Sequence, residues 1–399
     1  MKLPKAVLPL CEQAFASGFT FCLFLAAVRL LDQPALELYT ALFSLNQSFS
    51  FFLFGLVLLP MASSTGVNAG KQLGISIVLL GVLLLGFALV SPLVMHFFAS
   101  FEGRITQQLW LLSFGFFASQ CMYEATRWLT IRLKGARAAF VVTLTRFALF
   151  FSGILLIGAD HLDALSFVIA QVAVNVIAMI GFIFTSRALF HEIRVVLPDR
   201  TAIHHLSNFG TAVANFLTNF ATVALVDRGL GGAGLAAFQA LRSATNPIGL
   251  LSQVIDNHLS ADLARSGRSL TNSIGYAMRF ALIASIVLLL LTTFLGPLIV
   301  DLLFSEDLAK YWVLLPLLLM ASLAHALTRP IFVNWRLAGD TGALNLYSQL
   351  LIVAVLPALV LLGWTGWTLV MIALFALLPV TALVVNYLRR TPQSKDPIQ

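Results

Sequence analysis

The chain is poor in charge. Of 399 residues only 10% are Asp, Glu, Lys or Arg, against 59% hydrophobic ones, where a soluble domain carries about 25% and about 45–50%. No water-soluble fold of this length hides that much apolar surface, so a soluble globular protein is excluded. Cysteine is nearly absent. Cys11, Cys22 and Cys121 are odd in number, stand in apolar segments and form no CxxC pair, which excludes a disulfide framework and a thiolate metal site. They read as small core-filling residues. No HExxH, P-loop, GxSxG or convincing GxGxxG signature occurs. His204, His205 and His325 are scattered and read as structural or surface histidines. We therefore expect no catalytic residue, no metal and no cofactor. Long polar segments are also missing, so the chain has no soluble domain, no nucleotide-binding module and no large external loop on which a glycan polymerase or ligase would place its chemistry.

Long apolar runs fill the space. A span of the bilayer core, about 30 Å thick, needs about 20 residues. About twelve such runs stand near 6–31, 36–61, 71–98, 106–131, 137–158, 163–186, 203–226, 234–259, 273–302, 312–334, 342–362 and 367–388. The N-terminal run follows Lys2 and Lys5 like a signal peptide, but contains Glu12, continues past Arg29 and lacks a small-x-small cleavage site, so it reads as an uncleaved first span. With the N-terminus inside, most Lys and Arg fall on cytoplasmic segments, among them Lys71, Arg132, Lys134, Arg137, Arg187, Arg194 and Arg200. Most acids fall outside, among them Asp32, Glu102, Asp163, Asp227 and Asp301. That bias orients multi-pass proteins, and it puts both termini in the cytoplasm. The net charge of +7 is thus a topology and lipid-contact signal rather than a nucleic-acid one.

The sequence also echoes itself. Tyr39–Ser44 is matched by Phe238–Ser243, residues 91–100 by 296–305, and Arg132–Gly135 by Arg336–Gly339, in the same order at offsets of 199, 205 and 204. A duplicated bundle of six plus six spans would be a parallel repeat, the plan of many secondary transporters, with substrate sites between the halves. The fold class expected is all-α and integral to the membrane. The divisions expected are an N-terminal bundle over 1–190, a cytoplasmic linker over 191–203, a C-terminal bundle over 204–390 and a disordered tail over 391–399.

Candidate function lies in polar residues that a bilayer should exclude. Asn208, Thr211, Asn215, Thr218, Asn219 and Thr222 share one arc of the seventh span, more than helix–helix hydrogen bonding requires. Gln239, Arg242, Asn246, Gln253 and Asp256 align on the eighth. Shorter sets are Ser44, Gln47 and Ser48 on the second span and Gln171 and Asn175 on the sixth. Arg146 stands nine residues past Arg137, about 13 Å along a helix, and Arg242 lies about 12 Å inside the other boundary. A lone Arg at the bilayer centre costs at least about 2.5–3.5 kcal/mol, so each needs a partner or a wet cavity. Glu124 and Arg127, one turn apart, can pair. Glu12, Glu124 and Asp256 are candidate partners or proton carriers, and Arg127 lies close enough to the cytoplasmic boundary to snorkel. The substrate-binding set expected is Arg146, Arg242, Asn215, Asn219, Gln239 and Asn246. Arg suits phosphate through its planar fork, and amides suit hydroxyl-rich sugars.

The stretch EQAFASGFTFCLFLAAVRLLDQPALELYTALFSLNQSF resembles the opening of Wzx-type polysaccharide flippases of the multidrug/oligosaccharidyl-lipid/polysaccharide (MOP) superfamily. Val28-Arg29-Leu30-Leu31-Asp32 stands where that family has an Ala-Arg-Leu-Leu-Gly-like turn, with Asp32 in place of the usual Gly, and Tyr39 begins the second span. YEATRWLTIRLKGARAAFVVTLTRF is similar to the family's fourth span, loop and fifth span. The resemblance implies a MATE-like pair of six-helix bundles, alternating access in the bacterial inner membrane, and undecaprenyl-diphosphate-linked oligosaccharide as cargo. It also implies membrane lipids, other polysaccharide-assembly proteins and a coupling ion, H+ or Na+, as partners. Two rivals stay open: a MATE-type cation-coupled drug exporter, kept alive by Glu12 and Glu124, and a polytopic glycan polymerase or ligase.

Overall fold

The computed structural model describes residues 7–58, 69–157, 162–186, 209–266, 271–304, 306–337, 340–360 and 368–390, and all regular structure in them is helical. In order these are α1 (Val7–Leu30), α2 (Gln33–Phe52) running on as a π-helix (Leu53–Leu58), α3 (Ala69–Met95), α4 (Gln107–Lys134), α5 (Ala136–Ile157) and α6 (Ala164–Ser186). There follow α7 (Phe209–Ser266), α8 (Thr271–Leu303), the short α9 (Glu306–Ala309), α10 (Leu314–Leu337), α11 (Thr341–Val360), α12 (Thr368–Leu377) and α13 (Thr381–Arg390).

Local chemistry sets the helix ends. Asp32 caps α2 by accepting from the Ala35 N–H at 2.9 Å, with Pro34 in the first turn where a missing N–H costs nothing. Thr106 caps α4 through the Leu109 N–H. Asp163 and Ser166 form a reciprocal box before α6: the Ser166 N–H donates to Asp163 Oδ1 at 2.7 Å, and the Asp163 N–H donates to Ser166 Oγ at 3.0 Å. The hydrogen bond donated by the Ser166 hydroxyl holds the Asp163 carboxyl below the ordinary aspartate range. α7 is broken at Gly231, where φ is 73° and ψ 177°, a conformation open to glycine at no steric cost. Its two limbs, 209–230 and 232–266, therefore form a hairpin. The next residue must also be small, because a Cβ on Gly232 would come within 2.6 Å of the Glu37 side chain.

Among the described residues, seven helical stretches are long and apolar enough to cross a membrane: Gln33–Leu58, Leu73–Met95, Ala136–Leu156, Ala164–Phe184, Phe209–Thr245, Ile286–Leu303 and Thr368–Leu388. Ala14–Leu30, Leu314–His325 and Thr341–Pro357 are shorter apolar stretches. α4 is less apolar because its inward face carries Gln120, Glu124 and Arg127. The outward faces are leucine- and phenylalanine-rich: Leu89, Leu93, Leu155, Leu156, Phe184, Phe294 and Leu302 are strongly exposed, the reverse of a soluble surface. Pro92, Pro297 and Pro357 sit inside helices, where neighbouring helices can re-satisfy the freed carbonyls. The linker over 191–203 and the tail over 391–399 lie outside the described residues.

α2 and α7 form the central seam, joining the first six helices to the rest. Phenylalanine fills much of it. Phe49 and Phe52 of α2 meet Phe216 of α7 at ring-centroid distances of 4.9 and 5.1 Å, and Phe97 and Phe98 pack on Phe220 at 5.6 and 5.9 Å. Each such pair adds about 0.5–1.5 kcal/mol beyond area burial.

Candidate functional site

Two polar clusters occupy the interior. The first lies within α1, α4, α5 and α6. Arg127 is buried and grips Glu12 with two parallel bonds, Nε to Oε1 at 2.7 Å and Nη2 to Oε2 at 2.8 Å, while its Nη1 reaches Glu124 Oε2 at 2.9 Å. Thr143 donates to Glu12 Oε1 at 3.0 Å. The fork geometry matches a carboxylate edge-on, and of the two readings open for Arg127, pairing and snorkelling, the structure has the pairing. A partner on α1, 115 residues away in sequence, lets the guanidinium stay inside.

Arg146 belongs to the same half but is held differently. Its guanidinium carbon lies 4.0 Å from the ring centroids of both Phe19 and Tyr123, a two-sided cation–π clamp. Among the described residues its one hydrogen bond runs from Nη2 to Gln120 Oε1 at 3.4 Å, and its Nε is buried without a partner there. Asn175 also donates to Gln120 Oε1, at 3.2 Å, while its own Oδ1 is a buried orphan. Glu124 pairs with Arg127 one turn away, as its spacing predicts, and Glu12, a candidate partner or proton carrier, faces Arg127 as well.

The second cluster spans the seam. Ser44, Gln47 and Ser48 share one face of α2 at i, i+3 and i+4. Against it, Gln239 donates to Ser44 Oγ at 2.6 Å and Asn219 donates to Ser48 Oγ at 2.8 Å. The two serines donate backwards to the carbonyls of Thr40 and Ser44, which aims their lone pairs across the seam. Arg242, on the second limb of α7, donates Nη1 to Asn219 Oδ1 at 2.6 Å and to Gln47 Oε1 at 3.2 Å. Among the described residues no carboxylate lies within ion-pair distance of Arg242.

The seventh-span stripe divides. Thr211 is buried against Ser348 of α11 at 3.2 Å and Asn219 is buried in the seam, whereas Asn215 is half-buried. The side chains of Asn246 and Asp256 lie outside the described residues. Sequence reasoning treated Asp227 and Arg228 only as outer charges. Asp227 is fully buried and takes both donors of Ser100, and Arg228 donates to the carbonyls of Phe97 and His96 at 2.8 and 3.0 Å. Nothing local in the sequence marks that contact.

No family model and no curated protein matches the sequence. Solved structures do. An inward-facing conformation of a multidrug resistance MATE family transporter of the MOP superfamily aligns over 98% of this chain and 100% of its own, at a TM-score of 0.56 and 12% identity. The chain has the MATE fold. An outward-facing conformation of a multidrug resistance MATE transporter aligns at a TM-score of 0.64 over 97% and 96% of the two chains, with 12% identity. A MOP superfamily transporter from Pyrococcus furiosus, described as having a binding pocket of reverse polarity that suggests a different function, aligns at 0.63 over 98% and 96%, also with 12% identity. At that identity the MATE fold is what is shared. Inward- and outward-facing conformations both occur among those solved structures, and the shared fold with the apolar outer faces makes this chain a multi-pass membrane protein.

Proposed function

We propose that the protein is a flippase that carries a lipid-linked oligosaccharide diphosphate, of the undecaprenyl type, across the bacterial inner membrane by alternating access. The observation that carries this reading is Arg242. It stands in the seam between the first six helices and the rest, with neutral amide acceptors and, among the described residues, no acid, so its charge is available to an anion. The amides and hydroxyls beside it (Gln47, Asn219, Gln239, Ser44) suit sugar hydroxyls, and the phenylalanine-lined flank of the seam suits a lipid tail. Arg146, clamped one helix layer away, adds positive potential without itself standing in the seam. The polarity reported for the Pyrococcus relative supports the view that the fold serves more than one kind of cargo.

The test is flipping in proteoliposomes. A fluorescent undecaprenyl-diphosphate oligosaccharide becomes accessible to an external quencher in a protein-dependent way, with and without a pH gradient. Arg242→Ala should abolish the acceleration while the protein remains folded and inserted; full flipping in that variant in a non-leaky assay removes Arg242 from the mechanism. The second reading, a cation-coupled drug exporter, draws on the buried Glu12–Arg127–Glu124 group. It requires that Glu124→Gln cancel drug efflux with no change in glycan flipping. A polymerase or ligase would make a new bond on a soluble acceptor in detergent, which a flippase does not.

A further inference from the structure

Arg242 donates here to two amide oxygens that are held differently. Asn219 is buried, and it is fixed at both ends, donating to Ser48 and accepting from Arg242 at 2.6 Å. It sits on the first limb of the α7 hairpin and Arg242 on the second, so the bond between them lies within the hairpin and does not cross to α2. Gln47 belongs to α2, across the seam. Its bond to Arg242 is longer, 3.2 Å, both side chains are only half-buried, and among the described residues the Gln47 amide makes no second side-chain hydrogen bond. Among the described residues the Nε and Nη2 groups of Arg242 make no hydrogen bond, and the side chain is not fully buried.

We propose that Gln47 is a place-holder for one ligand oxygen: a diphosphate entering the seam takes over the Arg242 fork, displaces Gln47, and thereby breaks one of the α2–α7 hydrogen bonds that help hold the seam closed. The inference rests on the reading of Arg242 as the anion ligand. Its physical basis is the difference between acceptors. A hydrogen bond from guanidinium to an ionised oxygen is shorter and about twice as strong as one to a neutral amide, and a planar fork engages two anionic oxygens at once where Gln47 supplies one neutral oxygen. Binding is then linked to opening, because the ligand gains contacts only in the state that Gln47 has left. A neutral cargo could not make this exchange. Gln47 therefore sets selectivity as well as holding the seam.

The experiment is a titration of the full-length protein in detergent with farnesyl diphosphate and, separately, with inorganic pyrophosphate, alongside thermal unfolding of each variant. Gln47→Ala removes the internal competitor and should tighten binding by about two- to tenfold, the worth of one ordinary hydrogen bond. Gln47→Glu puts a carboxylate on Arg242 and should weaken binding by about tenfold or more while raising the unfolding temperature. An improvement seen with both probes assigns the recognition to the diphosphate itself; one confined to farnesyl diphosphate assigns it to a lipid-borne headgroup, and both agree with displacement. Weaker binding in Gln47→Ala would make Gln47 a direct ligand and overturn the proposal, as would wild-type binding in a folded Gln47→Glu. Undiminished binding in Arg242→Ala would instead overturn the reading of the site, whatever the Gln47 variants do.

Discussion

Ser100 donates twice to Asp227: its backbone N–H reaches Oδ2 at 2.9 Å and its hydroxyl reaches Oδ1 at 2.5 Å. Ser100 follows α3, and Asp227 sits at the end of the first limb of α7, so the contact ties the two halves together at one end of the molecule. The neighbouring Arg228 reinforces it through the Phe97 and His96 carbonyls and a more exposed pair with Glu102 at 3.4 Å. In the proposed orientation this end faces the periplasm, and the proposed alternating access requires that it open.

Ser100→Ala should therefore loosen that end without unfolding the protein. Hydrogen bonds to charged groups contribute about 1.5–3 kcal/mol, and the backbone donor remains, so the loss should fall near the lower figure. The check is cysteine labelling at the Arg228 end together with thermal unfolding. Asp227→Ala removes the acceptor for both donors and should cost more. Equal labelling of wild type and both variants would show that the contact does not hold this end closed.

Arg127→Ala should be among the most destabilising single changes in the protein. It leaves Glu12, 2% exposed, as an uncompensated buried carboxylate, a loss of about 3–5 kcal/mol. Replacing the pair together, with Glu12→Gln and Arg127→Met, should recover much of that loss, since two neutral groups of similar size need no partner charge. Denaturation in detergent measures both. A double variant no better than Arg127→Ala would mean that the pair is required by something other than charge compensation.

Arg146→Lys separates charge from shape. Lys retains the positive potential but not the planar face that stacks between Phe19 and Tyr123, so stability should fall by about 1 kcal/mol while flipping persists. Arg146→Ala should lose flipping as well. If both variants flip at the wild-type rate in folded protein, the Arg146 charge has no part in transport.

Several features were legible from the chain alone because they depend on distances along one helix. The apolar runs predicted at 137–158 and 163–186 meet helices Ala136–Ile157 and Ala164–Ser186, because the thickness of a bilayer sets the length of a run. The closeness of Glu124 and Arg127 follows from one turn of α4. The buried place of Asp227 did not follow, since a polar residue next to Arg228, Gly229 and Gly231 looks the same whether it faces water or the Ser100 backbone.

Composition and periodicity by themselves determined that this is a helical membrane protein, where most of its helices run, and that positive charge enters its interior. Both properties are sums over neighbours in sequence, and the bilayer reads them without reference to the rest of the fold. Only the tertiary structure decided which arginine is neutralised. Glu12 lies 115 residues from Arg127, and Gln47 lies 195 residues from Arg242. Helix packing brought a carboxylate to the first and neutral amides to the second, leaving Arg242 without a carboxylate partner among the described residues.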